Sequence, residues 1–410
     1  MKASKRICML LVLLFLLSMG FAAQAQDTTI SFLTPPWGIP PNEDALNAFM
    51  EESGITVEIQ SVQLADLFSR VQVSAAAGQA PADVIFITEE GPSNIVATGN
   101  LMGLNDFVAR GDLPMDDLDH MGFWTLDDEL YVVPTYQQLV MMDYNAASLA
   151  EAGIDAPPTT WEELHAQSMA IKAAGVDDYP IAFGAINWSW WLMALSMGDP
   201  MFDDDLNPVF ADEGSKAREA MALLKTFFDH ELISPEILAG SINQHGLFWS
   251  GVGVFHQAWQ GSLAVANNPD SSAQAPDTEY LVLPEEGNTW TFHAGLGIAL
   301  DSENADAAWE FIKWYISEGT QTAIYNAYGL YPSRPSVAAA LNEEGVIQGY
   351  DEIVEQGMHV HELPRFTLWW GPWAATVSET ILEAMQTGMD ADAVIDSLAE
   401  AWNELKDEYE

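Results

Sequence analysis

Apolar residues recur along this chain at two different periods. Residues 29–33, 55–59 and 83–87 are short runs of strand length, the last holding four consecutive apolar side chains from Val84 to Ile87. Such a run suits a strand covered by helices on both faces. Between these runs, residues 42–52 and 64–77 read as helices, each closed by a glycine, Gly54 and Gly78. The order is β-α-β-α-β, which predicts a mostly parallel sheet with helices on both sides.

A second block begins near Pro134. Residues 139–144 read as a strand, and the Pro157-Pro158-Thr159-Thr160 stretch interrupts the chain. Thr160 with Glu163 forms a capping box that opens a helix over 161–174, ended by Gly175. Residues 252–256 read as a strand. Residues 305–317 predict a helix whose Ala308, Phe311, Ile312 and Tyr315 share one face. No repeat and no low-complexity linker divides the chain, so it is expected to cross between two domains more than once.

The segment from Met1 to Ala25 stands apart. Lys2, Lys5 and Arg6 precede an apolar run over 7–17, and Ala23-Gln24-Ala25 gives the small-x-small pattern of a signal-peptidase site. This predicts an exported protein, and a periplasmic one is the simplest reading. The single cysteine, Cys8, lies inside that segment, so the remainder is expected to carry no disulfide, no cysteine-ligated metal and no lipid-bearing cysteine.

Charge sharpens the picture. Once the Met1 to Ala25 segment is set aside, ten Lys and Arg remain against 61 Asp and Glu, a formal charge of −51. So large an excess repels nucleic acid and anionic membranes, and it opposes compaction unless salt screens it. At about 1 M salt the screening length falls to roughly 3 Å. With 49% hydrophobic residues and 15 tryptophans, the chain predicts large buried cores rather than an acidic disordered tail, and the acidity reads as adaptation to a salty medium.

Several ordered motifs carry a resemblance. They are Asp83-Val-Ile-Phe-Ile-Thr-Glu-Glu90, Ala97-Thr-Gly-Asn-Leu-Met-Gly-Leu104, Pro134-Thr-Tyr136 leading to Tyr144-Asn145, and Pro157-Pro-Thr-Thr-Trp-Glu-Glu-Leu164. Phe248-Trp-Ser-Gly-Val-Gly-Val254, Leu283-Pro-Glu-Glu-Gly287 and Tyr331-Pro-Ser-Arg334 follow in order. Through nearly the whole length after Ala25, the chain resembles the extracellular solute-binding proteins of ABC import systems, in the sugar-binding group that includes maltose-binding protein. The resemblance implies a two-lobed α/β periplasmic-binding-protein fold of type II, with the ligand in a cleft between hinged lobes. It implies an N-lobe of residues 26–131 plus 284–326 and a C-lobe of residues 132–283 plus 327–410. It also implies a monomer that captures a mono- or oligosaccharide and hands it to ABC permease subunits, with no catalysis and no cofactor.

Aromatic faces stack on the C–H faces of sugars, while carboxylates and amides bridge hydroxyls. Residues of both kinds occur where loops follow strands, the usual ligand position in open α/β sheets. Trp37 lies in a proline-rich loop after the first strand. Glu89 and Glu90 follow the third strand, and the resemblance places Glu90 on a ligand contact. Tyr136, Gln137 and Gln138 lie at the first crossover, with Gln138 on a polar contact position implied by the resemblance. Asn187-Trp188-Ser189-Trp190-Trp191 packs three tryptophans into four residues, which cannot all face one core; Trp188 or Trp190 is expected in the cleft. Asn187 is expected to pair with a hydroxyl. The resemblance assigns Trp259 to stacking and Trp370 or Trp373 to a cleft wall. His293 is a further hydrogen-bonding candidate.

Other readings compete. A cage of tryptophans could hold a quaternary-ammonium or other cationic solute. Paired carboxylates and aromatics are also the equipment of a secreted glycoside hydrolase. An anionic ligand is disfavoured by the scarcity of arginine and lysine. His359-x-His361-Glu362 offers too few ligands for a metal, Asp203-x-Asp205-x-Asn207 lacks the glycine and closing glutamate of a calcium loop, and Tyr325, Tyr328 and Tyr331 read as hinge packing.

Overall fold

The computed structural model describes residues 28–88, 100–184 and 186–409. The expected N-terminal alternation is present. Strand β1 (Thr28–Thr34) pairs in parallel with β2 (Ile55–Ser61) and β3 (Val84–Thr88). The helix Glu43–Ser53 between the first two is capped by the Asn42 side chain, which accepts from Ala45 N at 3.0 Å, and ends on Gly54 at φ 70°. β3 is buried throughout, which explains its unbroken apolar run.

Two short strands, β4 (Thr125–Leu126) and β5 (Glu129–Leu130), form a hairpin ahead of β6 (Val133–Asn145). β6 is twice as long as the apolar run over 139–144 predicts. Its first half pairs with β10 (Thr291–Ile298) and its second half with β8 (Phe255–Trp259) and β9 (Thr278–Leu281). Pro134 would end a central strand because it has no N–H to give. Here the register slips between Ala294 and Gly295 opposite it, and the ladder resumes. Gly295 is needed at that step, since a Cβ there would lie 2.5 Å from the Val133 carbonyl oxygen. The sheet runs β2-β1-β3-β10-β6-β8-β7, with β7 at Ile181–Ala182 and β9 on the free edge of β6.

Two large cores lie along this sheet, with a smaller cluster around Met141, Tyr280, Tyr325 and Leu341. One holds Ile30, Phe32, Phe86, Trp124, Tyr136, Leu296, Trp309 and Tyr315. The other holds Met142, Trp161, Trp190, Trp191, Phe210, Phe255, Trp373 and Trp402. The chain passes between them three times, along β6, through residues 282–290, and through residues 329–333. The last crossing is tied to β6 by Gln137 N to Tyr331 O at 3.1 Å. The architecture is two-lobed α/β.

The helix Trp161–Ala174 has the predicted bounds, with Thr160 Oγ1 accepting from Glu163 N at 3.1 Å. The reciprocal half of the capping box differs. Glu163 Oε2 accepts from Thr159 N and Thr159 Oγ1, both at 2.8 Å, one residue earlier than expected. The strand expected at 252–256 is β8 instead, because Gly251 and Gly253 take positive φ and delay it. No described helix is long and apolar enough to cross a membrane.

Candidate functional site

Trp188 stands where the two cores meet. It is partly buried and packs against both. Its ring lies 5.6 Å from Trp290 and 5.1 Å from Phe292, residues at the second crossing and at the start of β10. It occupies the first turn of the helix Asn187–Ser196, whose remaining nine residues are buried. The first turn faces the other lobe, and the rest fills its own.

The N-lobe side of this junction is built from strand ends. β1 stops at Thr34, and a short turn over Pro36–Gly38 carries Trp37 across the sheet. Gly38 permits that turn, because a Cβ would sit 2.8 Å from the Phe86 ring. Trp37 Nε1 donates to Tyr136 Oη at 3.2 Å, and Tyr136 lies 6.1 Å from both Phe86 and Phe292. Gln138, opposite Phe292 in the ladder, is almost buried. Thr88 ends β3, and its buried hydroxyl has no hydrogen-bond partner among the described residues.

His293 adjoins this group. Thr291 Oγ1 lies 2.9 Å from His293 Nε2, and the imidazole lies 4.5 Å from His120 and 4.9 Å from Phe123, tilted against both rings. Burial, with Arg365 and His120 nearby, pushes His293 down to about 2, so it is neutral at physiological pH. Arg365 arrives from the opposite lobe. Its guanidinium lies over Phe123 at 5.2 Å, donates to the Thr291 carbonyl, and bonds Glu362 at 2.7 Å.

The facing wall lies at the ends of β7 and β8. Trp259, the last residue of β8, is partly exposed and donates to Gly329 O at 3.0 Å on the third crossing. Gln257 is buried two residues earlier. Its Oε1 accepts from Ser189 Oγ at 2.8 Å, while its Nε2 has no partner among the described residues. An unpaired buried amide next to a lobe junction is costly unless something else satisfies it. The Thr88 hydroxyl poses the same question from the other lobe.

Of the sequence-predicted residues, Trp37, Tyr136, Gln138, Trp188, Trp259 and His293 lie along or beside this junction. Glu89 and Glu90 fall outside the described residues. Four others are placed elsewhere by their packing. Trp190 is fully buried, with Nε1 donating to Ala217 O at 2.9 Å and its ring against Phe210. Trp373 is likewise buried, donating to Leu398 O at 2.9 Å. Trp370 packs 4.9 Å from Trp191. These three are core residues of one lobe rather than cleft walls. Asn187 spends its amide inside the same lobe, with Nδ2 donating to Ala374 O at 3.1 Å and Oδ1 accepting from Trp188 N at 2.8 Å. It positions Trp188 rather than reaching out.

Thr88, Gln257, His120, Phe123 and Arg365 were missed. Gln257 had a readable signal, since with His256 it makes a polar pair inside a short strand whose other residues are apolar. Arg365 had none, since its role depends on Thr291, far away in sequence.

The sequence profile of the bacterial extracellular solute-binding proteins matches residues 44–350. The chain belongs to that family. Among its relatives, the diacetylchitobiose binding protein DasA of Streptomyces coelicolor is 24% identical over 283 residues, 65% of this chain and 64% of that protein's own length. The maltotriose-binding protein of Pyrococcus abyssi is 22% identical over 352 residues, 82% of this chain and 73% of that one. Among solved structures, the ABC substrate-binding protein Lmo0181 from Listeria monocytogenes, in complex with cycloalternan, superposes with a TM-score of 0.80 at 17% identity, covering 92% of this chain and 98% of that one. The maltose-bound T. maritima MalE3 gives 0.80 at 18%, covering 92% and 100%. At these identities the structural likeness bears on the two-lobed fold alone.

Proposed function

We propose that this family member is the exported sugar-capturing component of an ABC import system. The observation that carries the reading is Trp188 between the two cores, with one buried polar atom in each lobe that has no partner among the described residues, Thr88 Oγ1 and Gln257 Nε2. A polyhydroxylated ligand satisfies both demands at once. Its C–H faces cover indole rings, and its hydroxyls donate and accept. The ligands for which the two relatives are named, maltotriose and diacetylchitobiose, are of that class.

In this reading Trp37, Tyr136, Gln138, Trp188, Trp259 and His293 line the cleft, together with Glu89 and Glu90. The lobes, residues 26–131 with 284–326 and residues 132–283 with 327–410, close on the ligand by hinge motion at the three crossings. Capture requires no chemistry. A mature chain of formal charge −51 that works outside the cytoplasm is suited to a saline medium, where its self-repulsion is screened. The Met1 to Ala25 segment acts as a cleaved export signal, the mature protein acts as a monomer, and the closed form docks on permease subunits.

A thermal-shift screen in high salt tests this, with maltotriose, diacetylchitobiose, monosaccharides and polyols beside betaine and choline. A ligand at a hundredfold excess over Kd stabilises by about 2.7 kcal/mol. A shift with an intact sugar is expected. A shift with quaternary amines alone, or release of cleaved sugar, overturns the reading.

A further inference from the structure

Beneath the Trp259 wall runs a chain of hydrogen bonds that the packing of a strand does not require. Asp143, on β6, is fully buried and lies opposite His256 on β8. Its Oδ1 accepts from Ser262 Oγ at 2.9 Å, and its Oδ2 lies 3.3 Å from His256 Nδ1. His256 is also fully buried, stacked on Phe248 at 4.5 Å with an interplanar angle of 9°. Its Nε2 lies 2.8 Å from His245 Nδ1. His245 is the first member of the chain with exposed surface. Its ring meets Trp259 edge-on, 4.9 Å away at 90°.

Each link has one proton to share. A ring nitrogen that donates leaves its partner nitrogen as an acceptor, so the polarity set at Asp143 passes through His256 to His245. The remaining nitrogen, His245 Nε2, is held in one role, donor or acceptor, for as long as the chain is intact. It lies 3.5 Å from the Gln244 side-chain nitrogen, at the edge of hydrogen-bond range, and is the one ring atom in the relay not bound inward. The helix that carries it, Gln244–Trp249, covers β7 and β8 near the strand ends that lead to Trp188 and Trp259.

We propose that His245 is a ligand-contacting residue, its Nε2 hydrogen-bonding a hydroxyl of a sugar stacked on Trp259, with Asp143 and His256 as positioning residues that fix its tautomer. This rests on the sugar-binding reading of the Trp259 wall. It adds a specificity element. A fixed donor or acceptor beside a stacking ring distinguishes sugars by the hydroxyl they present there, since a site built for a hydrogen bond strongly rejects an analogue lacking its partner.

Calorimetric titration with maltotriose and diacetylchitobiose tests it, using whichever the wild type binds. His245→Ala is expected to weaken binding about tenfold, the loss of one good hydrogen bond. Asp143→Asn is expected to weaken it severalfold, and His245→Ala/Asp143→Asn to bind no more weakly than His245→Ala alone, because Asp143 acts only through His245. Full additivity, or a His245→Ala protein within twofold of wild type, overturns the proposal. If the buried Asp143→Asn protein does not fold, nitrogen NMR of the wild-type imidazoles decides instead. One His245 tautomer is expected, and a mixture overturns the relay. Wild type that binds no sugar or polyol in the thermal-shift screen would instead sink the sugar reading and this proposal with it. Binding that is lost in Trp259→Ala but kept in His245→Ala would sink the proposal alone.

Discussion

Trp188 and Trp190 are two residues apart on one helix, yet their surroundings differ in kind. Trp190 has no exposed surface and belongs to a cluster with Phe210 and Trp373 that continues to Trp402. Every ring in it comes from one lobe. Trp188 touches Trp290 and Phe292, one at a lobe crossing and the other in β10, and keeps part of its surface open. The indole N–H groups follow the same division. Those of Trp190 and Trp373 are used inside the lobe, on Ala217 and Leu398 carbonyls, whereas those of Trp37 and Trp259 reach Tyr136 and Gly329 at the crossings. Aromatic density therefore marks a core in this protein, and it is the position at a strand end or first helical turn that marks the junction.

Truncating the core cluster gives the largest effect. Trp373→Ala removes a fully buried ring and leaves a cavity among Trp190, Trp191 and Trp402. A loss of about 3–5 kcal/mol is expected in chemical denaturation, with sugar affinity of the folded fraction unchanged. A change in Kd beyond a few-fold would place Trp373 in the cleft after all and erase the distinction.

Acid probes the next level. Burial pushes His256 down to about 3 and His293 down to about 2, while an unfolded histidine titrates near 6.5. The folded values are the lower ones, so the unfolded chain binds more protons between them. Stability is then complete above about pH 6.5 and declines as the pH falls. By pH 4.5 each neutral histidine costs on the order of a few kcal/mol. Asp143, raised by burial, works in the opposite direction and offsets part of this. A melting temperature unchanged between pH 7 and pH 4.5 would mean that these imidazoles are not held neutral.

Trp188→Ala should reverse the pattern of Trp373→Ala. The side chain is only partly buried, so the stability loss is expected to stay within about 1–2 kcal/mol, while sugar Kd rises about tenfold or more. Calorimetry beside a denaturation curve separates the two quantities. An affinity that survives would move the site away from the lobe junction.

Much of this architecture was legible because local rules settle it. The run Val84 to Ile87, the caps at Asn42 and Thr160, and the glycines at 54 and 175 place their elements within a residue or two. β6 was half-hidden, since its extension past Pro134 depends on a register slip in β10, a strand far along the chain. The lobe junction proposed as the site was legible in outline, through residues that follow strands. Trp190, Trp370 and Trp373 misled because a tryptophan's burial is decided by which helix lies above it, and spacing alone does not say. Arg365 over Phe123, and the His245–His256–Asp143 chain, are long-range contacts with no local pattern to announce them.

The smallest expected effect supplies the control that the comparison needs. Thr160 caps the Trp161–Ala174 helix through one hydrogen bond from Glu163 N, and it is not a member of the tryptophan core. Thr160→Ala is expected to cost about 1 kcal/mol, the usual value of a lost cap. Glu163 keeps its own bonds to Thr159, so the helix start stays anchored and only the one N–H is released. Sugar Kd should match wild type within error, although the protein is less stable. That result would establish that a modest stability loss in this lobe does not by itself weaken capture, so that a tenfold change in Trp188→Ala comes from the missing indole face. A weakened Kd in Thr160→Ala would instead tie affinity to the rigidity of the whole lobe, and the division between core and junction tryptophans would lose its functional meaning.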